Sequence, residues 1–428
     1  MVAEFAVEVF QNEYLTEGAR EVDAIVTVAA SGMPAAGVAP VDIAQVVIVD
    51  CSGSMRYPPT KLDAAKKATA TAIDTLRDGV SFAVVEGTGS ARMVYPTHRG
   101  LAVASPRTKT EAKRAVRVLV SDGGTAMGRW LALADQVLAG HEGPLKHAIL
   151  LTDGQNQHET PAQLSRTLAS ISGRFTCDCR GVGTDWQVDE LRKIAEAMLG
   201  TVDIVADSRG LADDFRAMTA TAMGKAVGGV SLRLWTPEGA EVRFLKQVSP
   251  TVLDLTDRRT EAGPRTGEYP TGAWGAESRD YHLCVRVRPA GVGDRMLAGR
   301  VSLVTPGGDV LGQGRVLAVW TADEALSTRI NREVAHYTGQ AELAEVIQDG
   351  LEARKAGDVE TATAKLGRAV ALATSSGNTD TAKLLAKVVE VEDPVTGTVR
   401  LRPRVADADE MTLDTRSTVT KRVGKGGG

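Results

Sequence analysis

The chain has 428 residues, 43% hydrophobic and 24% charged, the balance of a soluble globular protein long enough for two or three domains. Lys and Arg number 50 against 54 Asp and Glu, a net charge of −4, so no strong field toward nucleic acid or an anionic membrane follows. The N-terminus has no basic n-region, and Glu4 and Glu8 interrupt it. No run approaches the roughly eighteen apolar residues of a membrane span, so neither a secretory signal nor a transmembrane helix is expected.

Aromatics are scarce at 4% while Ala and Gly are abundant, as in a high-GC bacterial proteome. The four cysteines, Cys51, Cys177, Cys179 and Cys284, have no zinc-site spacing. They read as buried thiols in a reduced, cytoplasmic compartment.

Residues 3–10 and 21–30 alternate apolar and polar and predict two paired strands, followed by a linker over 31–40. A regular alternation then begins. Gln45–Asp50 is a β-branched run, hence a buried parallel strand, and Lys61–Leu76 is helical with Thr60 as its cap. Short strands at 80–85 and 92–95 and helices over 110–119 and 127–138 come next. A buried strand is expected at 147–151, and a helix at 161–171 with Thr160 as cap and a proline in its first turn. Strands at 175–182 and 201–205 and helices at 188–198 and 211–225 complete the pattern. Strands and helices in this order mean a parallel sheet covered on both faces.

From Gly228 the texture turns to short strands with frequent turn residues, a β-sandwich signature that the two early strands would complete. Residues 322–391 show helical periodicity, with breaks near residues 339–340, at Gly357-Asp358 and at 375–378, and predict a hairpin or small bundle. Beyond Glu392 the chain is polar and Gly-rich at its end, which predicts a flexible tail over 392–428, with one possible strand in VTGTVRLR. The expected organisation is therefore 1–40, belonging to the sandwich; 41–227, a doubly wound α/β domain; 228–321, the sandwich; 322–391, helical; and 392–428, mobile.

Asp50-Cys51-Ser52-Gly53-Ser54 follows a buried strand directly, where open α/β sheets bind ligands. Three oxygen side chains at alternate positions suit a hard cation, and Mg²⁺ tolerates a site that keeps waters. Gly123-Gly124-Thr125 stands before a predicted helix, and Leu151-Thr152-Asp153-Gly154 ends the next buried strand. The Gly87–Ser90 run has no following helix or lysine and reads as a turn, not a phosphate loop.

Together these three loops resemble the metal-ion-dependent adhesion site of von Willebrand factor type A domains, found also in integrin inserted domains; the resemblance covers roughly residues 43–225. It implies a six-stranded sheet, five strands parallel and one short antiparallel edge. It implies Ser52 and Ser54 as direct ligands of Mg²⁺ or Mn²⁺, Thr125 joining in some states, and Asp50 and Asp153 acting mainly through water. The expected role is a protein-interaction module, an intracellular scaffold or assembly factor whose metal takes a partner's Asp or Glu, and not an enzyme. Two other readings compete. A Mg²⁺-dependent phosphoryl-transfer or hydrolytic enzyme would use Asp50 as nucleophile, but the motif supplies no adjacent acid or base. A kinase substrate would offer Thr415 or Thr418 in the polar tail.

Overall fold

A computed structural model of the chain describes residues 3–32 and 42–422, the side chain of Ser208 apart; most of the expected linker, residues 33–41, and the Gly-rich end, 423–428, lie outside the described residues. The chain forms two compact units. One is Pro34–Gly229 with Gly272–Gly275; the other is Met1–Met33, Val230–Thr271 and Ala276–Gly428.

In the first unit the sheet runs Val202–Val205, Thr176–Val182, Leu145–Thr152, Ile43–Asp50, Ser81–Gly87, Ala91–Tyr95. The first five strands are parallel and the last is the antiparallel edge. A further two-residue strand, Ala102–Val103, pairs antiparallel with Ser81–Gly87 and was not apparent from the sequence. Every residue of Ile43–Asp50 is buried, which is why the sequence there is a continuous apolar run and not an alternating one. Leu62, Ala65, Ala68, Ala72 and Ile73 of the helix Thr60–Thr75 pack with Phe215 and Met218 of the helix Leu211–Met223 over Val47, Val49 and Ile149 of the sheet. The chain leaves Ile43–Asp50 toward Ser81–Gly87 on one side and later returns to place Leu145–Thr152 on the other. The carboxyl ends of these two central strands therefore open onto the crevice where strand order reverses.

Local signals account for most helix ends. Thr160 and Gln163 form a reciprocal capping box with Pro161 at the first position, as expected. Ser105 and Thr108 form another and start the basic helix at Pro106, four residues before the expected 110. Thr60 is not a cap: it is the first residue of its helix, and Pro59 stands before it.

The second unit contains a two-stranded sheet and two large ones. One runs Glu4–Gln11, Glu21–Ser31, Ser278–Arg286, Glu241–Ser249, Leu253–Asp254, all antiparallel. The other runs Thr260–Gly263, Thr266–Trp274, Val227–Trp235, Arg295–Val304, Val310–Trp320, Tyr14–Leu15. Glu21–Ser31 is interior to its sheet, and Val22, Ala24, Ile25, Val26 and Val28 have no exposed surface. The two sheets meet where Val7 and Val9 lie against Gly312 and Gly314, so closely that a Cβ on either glycine would fall within 2.7 Å of a valine methyl.

Two expectations for the C-terminal third are corrected. Instead of two helices breaking near residue 339, a single helix spans Arg332–Lys355, because burial of Tyr337, Leu343 and Ile347 on either side outweighs the weak helix propensity of Gly339. The stretch after Glu392 is not a mobile tail up to Arg422. A hairpin of Val389–Asp393 and Thr398–Leu401 leads to a helix, Asp407–Arg416. Leu413 is fully buried among Leu343, Ile347, Leu351, Leu366, Val370 and Leu385, with Val391, Val399, Leu401 and Val405 packed against them. The segment is polar in mean composition, but Leu413, Val399, Leu401 and Val405 reach the core while Val395 and Val419 stay exposed. The chain then pairs with the sandwich: the Val252 amide donates to the Thr418 carbonyl and the Thr420 amide to that of Pro250. Arg422 closes the segment with two bonds, Nε to Asp280 Oδ2 at 3.0 Å and Nη2 to Oδ1 at 3.1 Å. Asp280 is 1% exposed and also accepts from Thr27 (2.6 Å) and Tyr337 (2.6 Å).

Thr415, expected to be accessible to a kinase, is 1% exposed, and its hydroxyl donates to the Met411 carbonyl. It is not presented while the helix is folded. Thr418 is half-buried, with its carbonyl engaged by Val252.

Deleting residues 1–32 removes an interior strand, so the truncated chain should lose the cooperative unfolding transition of this unit in calorimetry; an unchanged thermogram would refute the pairing. Replacing Arg422 by Ala leaves the buried Asp280 carboxylate without its cation. It should lower stability by about 2–3 kcal/mol in chemical denaturation and deprotect the amides of 418–420 in hydrogen exchange, whereas Arg422→Lys should lose less.

Candidate metal centre

Asp50 is the last residue of its strand, and strand pairing carries Thr152 to the same level on the neighbouring strand. Thr152 Oγ1 donates to Asp50 Oδ2 at 2.5 Å, and the Ser52 amide donates to Oδ1 at 2.7 Å. Both oxygens of this fully buried carboxylate are thereby held. The loop then turns through Gly53–Arg56 as a single 3-10 turn. The Gly53 amide donates to Gly123 O at 2.9 Å, the Asp122 amide to Cys51 O at 2.8 Å, and the Ser121 hydroxyl to Ser52 O. These bonds lock the first loop to the second.

The three loops converge on hydroxyl groups. Ser52 Oγ and Ser54 Oγ are 3.0 Å apart, and Ser54 Oγ donates to Asp153 Oδ1 at 2.6 Å. Ser54 Oγ and Thr125 Oγ1 both border Gly154, where a Cβ would lie 3.0 Å from the first and 3.5 Å from the second. Asp50, Ser52, Thr125 and Asp153 are buried and Ser54 is exposed, so carboxylates form the floor and a hydroxyl stands at the mouth. All five residues singled out from the sequence thus fall in one cluster. Among the described residues no three His, Cys, Asp or Glu side chains are grouped to hold a metal. The cluster has a different composition, two carboxylates and three hydroxyls, which is an oxygen-only donor set suited to a hard dication that keeps waters.

Burial pushes the Asp50 carboxyl up to about 6; the charge of Asp153 adds to this, and hydrogen bonds from Ser52 and Thr152 oppose it. A cation in the cluster would relieve that penalty, so the residues present fit one.

Several residues around the site escaped the sequence reading. Lys61, in the first turn of the helix after the loop, donates to Asp153 Oδ2 at 2.8 Å and to Asp185 Oδ2 at 3.0 Å. Asn156 Oδ1 accepts from the Met127 amide, and Glu159 Oε1 accepts from the Gly128 amide (2.5 Å) and from Asn156 (2.7 Å). Together they cap the helix that starts just after Thr125. The Gln157 and His158 amides both donate to Thr125 O, which fixes that residue to the third loop. Burial also raises Glu190, with the nearby Glu159 charge contributing, although the Asn156 amide bond opposes the shift. His158 is exposed, and its ring covers Gly124 so closely that a Cβ there would be 1.8 Å from ring Cε1. A sequence signal existed for Thr152, within the motif itself, and for His158, whose place five residues past Asp153 puts it at the rim. The others are ordinary polar residues whose convergence depends on the fold.

A family model of the von Willebrand factor type A domain matches residues 44–204, and one of the von Willebrand factor type A C-terminal domain matches 371–417. Over nearly its whole length the chain is similar to the solved structure of von Willebrand factor type A from Catenulispora acidiphila, at 55% identity, covering 98% of this chain and 97% of that one with a TM-score of 0.94. The chain belongs to the von Willebrand factor type A family. The crystal structure of the ArnB paralog VWA2 from Sulfolobus acidocaldarius, 15% identical over 99% of this chain and 100% of that one, shares the fold with a TM-score of 0.60. Protein sll0103 of Synechocystis sp. is 28% identical over 218 residues, 49% of each chain, so the chain spans about half the length of that curated relative. Domains of this family generally mediate metal-dependent protein interactions and are typically not enzymes. Among the described residues no helix is long and apolar enough to cross a membrane.

Asp50 also yields a pH signature. Its folded value of about 6 lies above the unfolded value near 3.8, so its contribution to stability is complete below about pH 4 and is lost as pH rises through about 6. In metal-free protein, wild type should lose about 2 kcal/mol relative to Asp50→Asn between pH 4.5 and 7.5. Parallel denaturation curves in chelator would show that Asp50 does not titrate there.

Proposed function

We propose that the protein is a metal-dependent interaction module that takes a partner's Asp or Glu side chain at the cluster of Asp50, Ser52, Ser54, Thr125 and Asp153. Ser52, Ser54 and Thr125 would hold Mg²⁺ or Mn²⁺ through neutral hydroxyls, with Asp50 and Asp153 behind them. The observation that carries this reading is the meeting of the first and third loops at one hydroxyl: Ser54 Oγ lies 3.0 Å from Ser52 Oγ and 2.6 Å from Asp153 Oδ1, and Thr125 Oγ1 of the second loop borders the same Gly154. Neutral ligands at the mouth leave a bound dication short of negative charge, so it supplies an acceptor position for an outside carboxylate. Its affinity for metal and for partner should then rise together by linkage.

The wider role we infer is that of a scaffold or assembly factor. The competing enzymatic reading needs Asp50 as an exposed nucleophile, whereas that carboxylate is fully buried with both oxygens hydrogen-bonded.

Calorimetric titration of Mn²⁺ or Mg²⁺ into metal-free protein should show one site, lost in Asp50→Asn and weakened about tenfold or more in Ser54→Ala, which removes one ligand at an exposed position. A partner captured with metal present should be released by chelator and recaptured when metal is restored. Partner capture indifferent to chelator and to Ser54→Ala would overturn the reading.

A further inference from the structure

Lys61 stands where electrostatics alone would not put it. It occupies the first turn of the helix Thr60–Thr75, the positive end of the helix dipole, where a basic residue is unfavourable. Its side chain is only 12% exposed. Two carboxylates compensate. Asp153, with no exposed surface, accepts at 2.8 Å, and Asp185, 69% exposed, accepts at 3.0 Å from the solvent side. The two oxygens of Asp153 are thus divided between tasks: Oδ1 takes the Ser54 hydroxyl and Oδ2 takes the ammonium.

We propose that Lys61 is an internal counter-cation that sets the metal affinity of the cluster, with Asp185 as an outlying carboxylate that draws part of its charge away. The proposal rests on the metal reading above and adds a positioning residue to it. Lys61 fixes the rotamer of Asp153 and cancels part of its negative charge. A dication in the cluster then sees little more than the charge of Asp50, is held weakly in the free protein, and keeps more of its positive charge for an incoming carboxylate. Because the ammonium is largely shielded from water, its repulsion of a dication is poorly screened. Asp185 works in the opposite direction. Without it the ammonium is committed to Asp153 alone, and its field at the cluster grows.

The two residues therefore have effects of opposite sign, which loss of a structural contact would not produce. In Mn²⁺ titration of the full chain, Lys61→Met should bind on the order of tenfold more tightly than wild type. Asp185→Asn should bind a few-fold more weakly, and Lys61→Arg should stay near wild type. Lys61→Met should also melt lower without metal, having left Asp153 buried and unpaired, yet show the larger upward shift on adding Mn²⁺. If Lys61→Met binds Mn²⁺ no more tightly than wild type, the proposal is wrong. Should that variant fail to fold, Asp185→Asn decides: affinity equal to or above wild type overturns it. If wild type takes up no Mn²⁺ at all, the metal reading falls and this proposal falls with it. If wild type binds and the variants do not differ, only the role of Lys61 is lost.

Discussion

The parallel register of Ile43–Asp50 with Leu145–Thr152 is the constraint on which the site depends. Val46 faces Ala148 and Val49 faces Leu151, so the two strands end together and their last polar residues have no choice but to meet. The 2.5 Å bond from Thr152 to Asp50 follows directly, and Asp153, one residue further, is delivered to Ser54. A slip of one residue would turn each of these side chains to the opposite face of the sheet. Burial of the flanking apolar run forbids the slip, so the hydrophobic pattern of two strands fixes the geometry of a polar cluster that contains none of those apolar residues.

How much of this was legible depends on whether a feature is local. The buried strands, the capping box at Thr160 and the three site loops carry their signals in contiguous residues, and reading them needs only periodicity and spacing. The basic helix was placed late because Ser105 and Thr108 cap it four residues ahead of its first clear apolar spacing. Gly339 suggested a break that the helix does not make, since propensity is a weak prior against the packing of Tyr337, Leu343 and Ile347 on either side. Lys61 and Asp185 are 124 positions apart and meet only through the fold.

The C-terminal segment shows the same limit from the other direction. Its average polarity argues for disorder, yet Leu413 and a few valines reach one core, and the remaining hold comes from polar contacts. Arg422 reaching Asp280, 142 positions earlier, is invisible to any window of sequence. The family model of the C-terminal domain covers 371–417, so this stretch is part of the inherited fold and not an appendage.

Strand Glu21–Ser31 lies beside Ser278–Arg286, with Thr27 bonded to Asp280 across 253 positions. On the ribosome this has a temporal consequence. At about 5–20 residues per second, roughly 13–50 s separate the emergence of the two strands. In that interval the whole of residues 43–229 is made, and its contacts can form on their own. The early hairpin, with its fully apolar Val22–Val28 face, must wait with one edge unpaired. For as long as that partner is missing, the outer edge of Glu21–Ser31 is open to edge-to-edge association, and Glu21 and Asp23 are the charged residues on that strand that oppose it.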